Sequence, residues 1–420
     1  MNRDYLKQVI ADQKQIYLNN ELVDRGFDFE ENINYCFVGM RRTGKSYMLY
    51  QQIQSLQDKG VSFDQIHYVN FEDERLVEVT TQDLDVILEI GIETAQNRKL
   101  YIFLDEIQNV ENWEKFVRRL ADMKYRVSIT GSNSKMLSRE IASTLGGRYM
   151  IVQVFPYSFK EYLHALDMET DCKRILSTAQ RAETIRAYDD YVKFGGFPEL
   201  LNVRNKREYL NSIYQTVYIG DIITRNKVSN DFALRLILKK IAESVMTPIS
   251  FSRLTNIVNS AGGKVGKQTV INYIGYMAEA YLIFSLQNYA AKLVDKETSP
   301  KYYFMDTGLL GMLSVDCETA QLENLVAVEL VRRYGAENVY FYERSVEIDF
   351  YVPEKKLAVQ VSYSVLDDND TKERELSALV KLSEYIPDVQ CLVITNSEEA
   401  YIEYEGIEIS MMPAWKWLLK

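Results

Sequence analysis

Residues 39–46 read Gly-Met-Arg-Arg-Thr-Gly-Lys-Ser, the spacing G-x-x-x-x-G-K-S, and each fixed position has a task in holding phosphate. Gly39 and Gly44 allow a loop tight enough for amide N–H groups to point at phosphate oxygens, and the helix that follows adds its positive N-terminal end. Lys45 is the cation for the β and γ phosphates, and the Ser46 hydroxyl is a ligand for Mg2+. Arg42, Thr43 and Tyr47 complete the stretch expected to touch the nucleotide, for which ATP is the expected species. Sixty residues beyond Lys45, the apolar run Leu100-Tyr-Ile-Phe-Leu104 ends in Asp105-Glu106. Asp105 is expected to hold Mg2+ through its water shell, and Glu106 to orient and polarise the attacking water, a role that binding alone does not require.

Two further groups are candidates for the same chemistry. The run Ser128-Ile-Thr-Gly-Ser-Asn133 ends in a polar tip. Asn133, with Ser132 second, is expected to touch the γ-phosphate or its water, a simple loop cap being the other reading. Arg148, in Gly146-Gly-Arg148, is a candidate charge-stabilising arginine for the nucleotide of a neighbouring subunit, which implies a homo-oligomer; a plain surface arginine is the alternative.

These residues need a scaffold that carries loops at one end of a sheet. Between Ile33 and Val154 short apolar runs alternate with helical patterns. The strands are expected at 34–38, 65–70, 100–104, 126–130 and 149–154, and the helices at 45–58, 83–95, 113–123 and 135–143. Runs such as Tyr101-Ile-Phe-Leu104 are apolar on both faces, as a strand covered by helices on two sides must be. The pattern predicts a parallel sheet in an α/β domain, with the strand ending at 130 lying between the first and the third. Beyond Pro156 the chain reads as mostly helix until about residue 300, interrupted at Gly195-Gly-Phe-Pro198, a turn or hinge. Strands then return at 302–305, 339–342, 347–352, 357–362 and 389–395, and residues 291–299 read as a linker.

The composition sets the boundaries. A chain of 420 residues exceeds one ordinary core. With 60 Asp and Glu against 49 Lys and Arg, its net charge of −11 argues against a surface coated throughout for nucleic acid. Cys36, Cys172, Cys317 and Cys391 are widely spaced with no C-x-x-C, which fits reduced thiols. His67 and His164 are the only histidines, so histidine-centred catalysis is a poor reading. The N-terminal stretch MNRDYLKQVIADQKQ lacks a signal peptide's apolar core, and no run reaches the ~18 apolar residues that span a bilayer. A cytoplasmic protein with no membrane partner is expected.

With the phosphate loop, Asp105-Glu106, Thr130-Gly-Ser-Asn133 and Phe155-Pro-Tyr-Ser-Phe-Lys-Glu161, the chain resembles the bacterial and archaeal AAA-type ATPases that carry a C-terminal domain often described as restriction-endonuclease-like. The C-terminal part of the resemblance rests on Glu323-Asn-Leu-Val-Ala-Val-Glu-Leu330 and Glu347-Ile-Asp-Phe350. The resemblance implies a P-loop domain over 1–155, a helical segment over 156–222, a winged helix over 223–290 and a nuclease-like α/β domain over 300–420.

The middle segment carries a local charge unlike the rest of the chain. Residues 222–290 hold eight basic side chains, Lys264 and Lys267 among them, against three acidic ones. Residues 250–258 and 267–281 read as two helices joined by a Gly-rich turn, with Gln268, Thr269 and Asn272 at the start of the second. Double-stranded DNA bound through residues 225–290 is one reading, and a winged helix used only for packing is the other.

A restriction-type site needs an acid from a helix, an aspartate on a strand, and an acid-x-lysine on the paired strand. Glu323 and Asp349 suit the first two places, but Gln360 and Ser362 stand where the acid and the lysine belong, with Lys355 or Lys356 the only nearby substitutes. Residues 301–420 hold 22 acidic against 11 basic side chains, a field that repels a phosphate backbone. The expectation is a Mg2+-dependent ATPase acting as a nucleotide-driven switch, with a degenerate C-terminal domain that binds an unidentified protein partner. An ATP-dependent nuclease and a nucleotide-gated scaffold with negligible turnover are the rivals.

Overall fold

The computed structural model describes residues 2–18, 22–96, 98–132, 143–314 and 318–420. The chain divides into two compact units, Met1–Phe155 and Pro156–Lys420. Among the described residues no helix is long and apolar enough to cross a membrane.

The first unit is built on five parallel strands: β1 (Asn34–Val38), β2 (Ile66–Asn70), β3 (Tyr101–Asp105), β4 (Arg126–Gly131) and β5 (Tyr149–Gln153). Their spatial order is β2-β3-β4-β1-β5, so β4 does lie between β1 and β3. All five residues of β1 are buried, because side chains leave it alternately toward helices on both faces. On one face Tyr35 and Phe37 pack with Met48, Leu49 and Ile53 of the helix Lys45–Asp58 and with Tyr68 and Phe103. The edges of Phe27 and Phe29 close over the Tyr35 and Phe37 rings. Each of these side chains contributes about 1.5–3 kcal/mol by leaving water, which anchors β1 as the base of the loop that follows it. The helix Trp113–Asp122 buries Trp113, Phe116, Val117, Leu120 and Ala121, one stripe at helical spacing.

The second unit begins with helices at Phe159–Ala165, Thr178–Phe194, Lys206–Gln215, Asp231–Glu243, Phe251–Ser260 and Lys267–Glu279, with a π-helical stretch at Thr216–Thr224. An eight-stranded mixed sheet follows: β6 (Ile283–Asn288), β7 (Lys301–Phe304), β8 (Tyr340–Glu343), β9 (Glu347–Val352), β10 (Leu357–Ser362), β11 (Gln390–Thr395), β12 (Ala400–Tyr404) and β13 (Ile407–Pro413), in the order β12-β13-β11-β10-β9-β8-β6-β7. Strand β6 falls within the stretch expected to be winged helix, yet it pairs antiparallel with β7 and parallel with β8. The sheet therefore runs across the expected break near 290–300, and the expected linker contains the short helix Leu293–Thr298.

The Gly195-Gly196 interruption is a turn tied to Asp306. That carboxylate accepts hydrogen bonds from the Gly196, Gly308 and Leu309 amides at 2.8, 2.9 and 3.3 Å. A Cβ at Gly195, whose φ is 80°, would lie 1.9 Å from an Asp306 oxygen, so only glycine fits.

Candidate functional site

Strand β1 delivers its chain out of the core directly into the loop. At Gly39 a side chain is excluded, since a Cβ would stand 2.3 Å from the Val154 carbonyl oxygen. Arg42 and Gly44 both take positive φ, 66° and 92°, which curls the loop back on itself. Two hydrogen bonds to one carbonyl hold that curl. Thr43 Oγ1 donates to the Met40 oxygen at 2.9 Å, and Lys45 Nζ donates to the same oxygen at 3.0 Å. The helix Lys45–Asp58 has Gly44 as its N-cap with no side-chain cap, so the amides of its first turn face an anion site rather than a side-chain acceptor.

The acidic pair ends β3. Asp105 is buried, and its Oδ2 accepts from the Tyr68 hydroxyl at 2.7 Å. Its Oδ1 accepts from Thr130 Oγ1 on β4, and the Ser46 hydroxyl also donates to this carboxylate. Burial first, and the Glu106 charge second, push the Asp105 carboxyl above its usual range. Glu106 sits at φ 51°, and its amide donates to Thr130 Oγ1 at 2.8 Å. One threonine hydroxyl therefore fixes both acids. Burial alone would raise the Glu106 carboxyl; Lys45, the Gln108 amide, Arg41 and the nearby Ser132 outweigh it and hold the group below its ordinary value. Lys45 Nζ is 3.5 Å from Glu106 Oε1.

The site thus gathers Gly39, Thr43, Gly44, Lys45, Ser46, Asp105 and Glu106 at the C-terminal ends of β1 and β3, joined by Thr130 of β4 and by Ser132 just beyond it. The Ser132 hydroxyl is buried beside the Glu106 carboxylate. Asn133 lies outside the described residues. Tyr47 is exposed, its ring tilted against Tyr50 at 5.4 Å between centroids. Arg148 is not brought to the site. Tyr149 pairs with Asn34 at the start of β1, five residues from the loop, or roughly 16 Å along a strand. The Arg148 guanidinium is held by Asp122 at 2.6 Å, so action within its own nucleotide site is ruled out by the sheet's direction.

Three contributors had no signal in the sequence pattern. Arg25, from the segment before β1, donates to the Thr43 and Phe155 carbonyls at 3.0 Å each and pins the loop from outside. Arg41 pairs with Glu72 beyond β2 at 2.6 Å. Tyr68 links Asp105 to the Tyr50 hydroxyl at 3.2 Å. A lone arginine or an alternate-position strand tyrosine is commonplace; only the folded topology joins them to the phosphate loop.

A second polar cluster lies in the C-terminal sheet. Asn324 of the helix Glu318–Tyr334 clamps the Phe304 backbone of β7 at 2.7 and 2.9 Å, which sets Glu323 beside Lys301. Lys301 Nζ lies 3.3 Å from Glu347, 3.7 Å from Asp349 and 3.8 Å from Glu323. Gln360 accepts from the Asp349 amide at 2.8 Å and donates to Glu375 at 2.8 Å. Ser362 turns to the Ser364 carbonyl. The sequence reading sought the missing lysine at Lys355 or Lys356, but Lys356 bonds to the Pro387 carbonyl on the surface. The lysine at the cluster is Lys301, 55 residues before Lys356, on a strand that pattern alone does not pair with these acids.

Residues 32–163 match the family described as AAA domain, and residues 185–339 match a domain of unknown function (DUF8612). An uncharacterized protein of Methanocaldococcus jannaschii, MJ1544, is 33% identical over 98% of this chain and 95% of its own length. An uncharacterized protein of Haemophilus influenzae is 28% identical over 96% of this chain and 98% of its own. Among solved structures, Cdc6p from Pyrobaculum aerophilum is similar at 18% identity and a TM-score of 0.26, covering 75% of this chain and 93% of that one. The chain belongs to one family with the Methanocaldococcus jannaschii protein, and its N-terminal unit carries the AAA domain of the P-loop ATPases.

Proposed function

We propose that this protein binds and hydrolyses ATP with Mg2+ and uses the cycle to switch its conformation or assembly. The observation that carries this reading is the placement of Lys45, Ser46, Asp105 and Glu106 at one loop mouth, with Lys45 and Glu106 buried against each other. The first-turn amides and Lys45 would take the β and γ phosphates. Ser46 and Asp105 would hold the metal, which fits them because a hydroxyl and a carboxylate, both oxygen donors, lie close together. Bound Mg2+ would supply charge neutralisation across the β and γ phosphates. A phosphate drawing Lys45 away would free Glu106 to accept a proton from the attacking water, its carboxyl being ionised at neutral pH. The buried Ser132 hydroxyl, beside Glu106, is a further polar group that would touch that water or the γ-phosphate. Arg148 stays a candidate only for a neighbouring subunit's nucleotide.

Single-turnover phosphate release by the wild type and by Glu106→Gln tests the reading. Wild-type release that needs Mg2+, with binding kept and release lost in Glu106→Gln, supports it. Equal release by both proteins removes Glu106 from catalysis, and tight binding with no release in either favours a nucleotide-gated scaffold.

Double-stranded DNA as a partner is favoured by one feature of the middle segment. The helices Phe251–Ser260 and Lys267–Glu279 are joined by a turn through Gly262 and Gly263, and Lys264, Lys267 and Gln268 are exposed there. We read the C-terminal sheet as a nuclease-like fold put to use as a partner-binding module.

A further inference from the structure

A restriction-type fold implies a divalent cation among its carboxylates. Among the described residues, no group of three or more carboxylate, histidine or cysteine side chains is arranged to hold a metal. The geometry shows why. Glu323, Glu347 and Asp349 come from a helix and from β9, and the centre on which they converge is filled by the Lys301 ammonium, 3.3–3.8 Å from all three. Lys301 is 0% exposed and Glu323 is 1% exposed, and the lysine's ammonium also lies over the Phe341 ring, 5.4 Å from its centroid. Two of the three acids have a further donor. Glu323 Oε1 accepts from the Tyr303 hydroxyl at 2.8 Å, and Asp349 Oδ2 accepts from the Val361 amide at 2.8 Å. Glu375, the fourth acid, is paired with Arg374 at 2.6 Å and with the Gln360 amide.

We infer that Lys301 is a built-in replacement for the divalent cation, so that the C-terminal domain is a metal-free module whose latent cation site is closed by one side chain. The inference holds whether or not the chain hydrolyses ATP. An ammonium within reach of three carboxylates supplies positive charge where a metal would, and the cost of stripping its water is met once, on folding. Nζ sits at comparable distances from all three acids, closest to Glu347 at 3.3 Å, so its positive charge is shared among them. This is the arrangement expected of a point charge filling a coordination centre. Glu347, 55% exposed, forms the side open to solvent through which a cation would enter if Lys301 were shortened or neutralised.

The test uses the full chain in an Asp105→Asn background, which removes the carboxylate of the phosphate-loop site, and measures Mn2+ binding by electron paramagnetic resonance without nucleotide. The parent should hold no Mn2+ tighter than millimolar. Lys301→Met, which keeps the stem and removes the charge, should bind one Mn2+ at least tenfold more tightly, and adding Asp349→Asn should abolish the gain. Lys301→Met that folds and still gains no Mn2+ site overturns the inference. Should Lys301→Met fail to fold, the parent against Asp349→Asn decides. Stoichiometric Mn2+ on the parent that Asp349→Asn removes would show that the cation site is open and Lys301 no replacement; its absence from both proteins supports the inference.

Discussion

Lys45 Nζ stands 3.5 Å from Glu106 Oε1, with the lysine side chain 4% exposed and the glutamate 10%. The two groups that the proposed ATPase cycle needs most are thus each other's counter-ion when no phosphate competes. Removing one partner from such a buried pair leaves an uncompensated charge, which costs about 3–5 kcal/mol, whereas removing both costs far less. Lys45→Met should therefore lose ATP binding and also lower the melting temperature. The double variant Lys45→Met, Glu106→Gln should recover most of the stability and none of the binding. A thermal-unfolding cycle across the four proteins measures the coupling; additive losses would mean that the pair is not coupled in solution.

Thr130 Oγ1 touches both catalytic candidates, donating to Asp105 and accepting from the Glu106 amide. Thr130→Val should lower turnover by about 10- to 100-fold, the range for losing a group that orients rather than reacts. Thr130→Ser, which restores the hydroxyl, should recover most of it. Loss in both variants alike would assign the effect to packing against β3 instead.

Arg25 spans two carbonyls, those of Thr43 and Phe155, and so braces the loop from a segment with no catalytic group. Arg25→Ala should weaken nucleotide affinity with little change in single-turnover rate at saturation, because loop shape is lost but Lys45, Asp105 and Glu106 remain. Titration with a fluorescent ATP analogue, alongside a saturating turnover assay, separates the two effects.

The Asp306 carboxyl, buried behind the Gly195-Gly196 turn, is pushed up to about 6 by burial, against the hydrogen bonds of Gly196, Leu309 and Gly308. The folded state then binds a proton more readily than the unfolded chain, whose Asp titrates near ~3.9. Stability from this group is therefore greatest below pH ~4, falls as pH rises through about 6, and is flat above, a span of order 2–3 kcal/mol. Relative to Asp306→Asn, the wild type should gain stability as pH falls from 6 to 4. A difference between the two proteins that stays constant over that window would exclude Asp306 as the titrating group.

The first unit was largely legible because its signals are local. Strand β1 and the helix Lys45–Asp58 fall on the residues the apolar runs and the G-x-x-x-x-G-K-S spacing indicate, since a doubly covered strand and a glycine-started helix each have few alternatives. Strands β6, β12 and β13 were missed for the opposite reason. Residues 400–404 alternate between partly exposed and exposed positions at a sheet edge, where apolar contrast is weak, and 283–288 directly follow a helix and pair with strands remote in sequence. Lys301 illustrates the limit most sharply. Its partners lie 22, 46 and 48 residues away, and only the register of β7 and the Asn324 clamp bring them together.

The DNA reading rests on the lysines around the turn between Phe251–Ser260 and Lys267–Glu279. Lys264 takes φ 46°, which turns the chain sharply just before the second helix, and both Lys264 and Lys267 are exposed. If these ammonium groups neutralise phosphates, binding should be weak, indifferent to sequence and strongly salt-dependent, with each phosphate contact adding about −0.9 to the slope of log K against log salt. Lys264→Glu with Lys267→Glu should weaken binding to every duplex tested and flatten that slope by roughly 2. Melting temperature should be unchanged, since exposed lysines contribute little to stability. Fluorescence anisotropy with a labelled duplex at several salt concentrations gives both quantities. An unaltered affinity and slope in the double variant would take this segment out of any DNA contact and leave its two helices to packing alone.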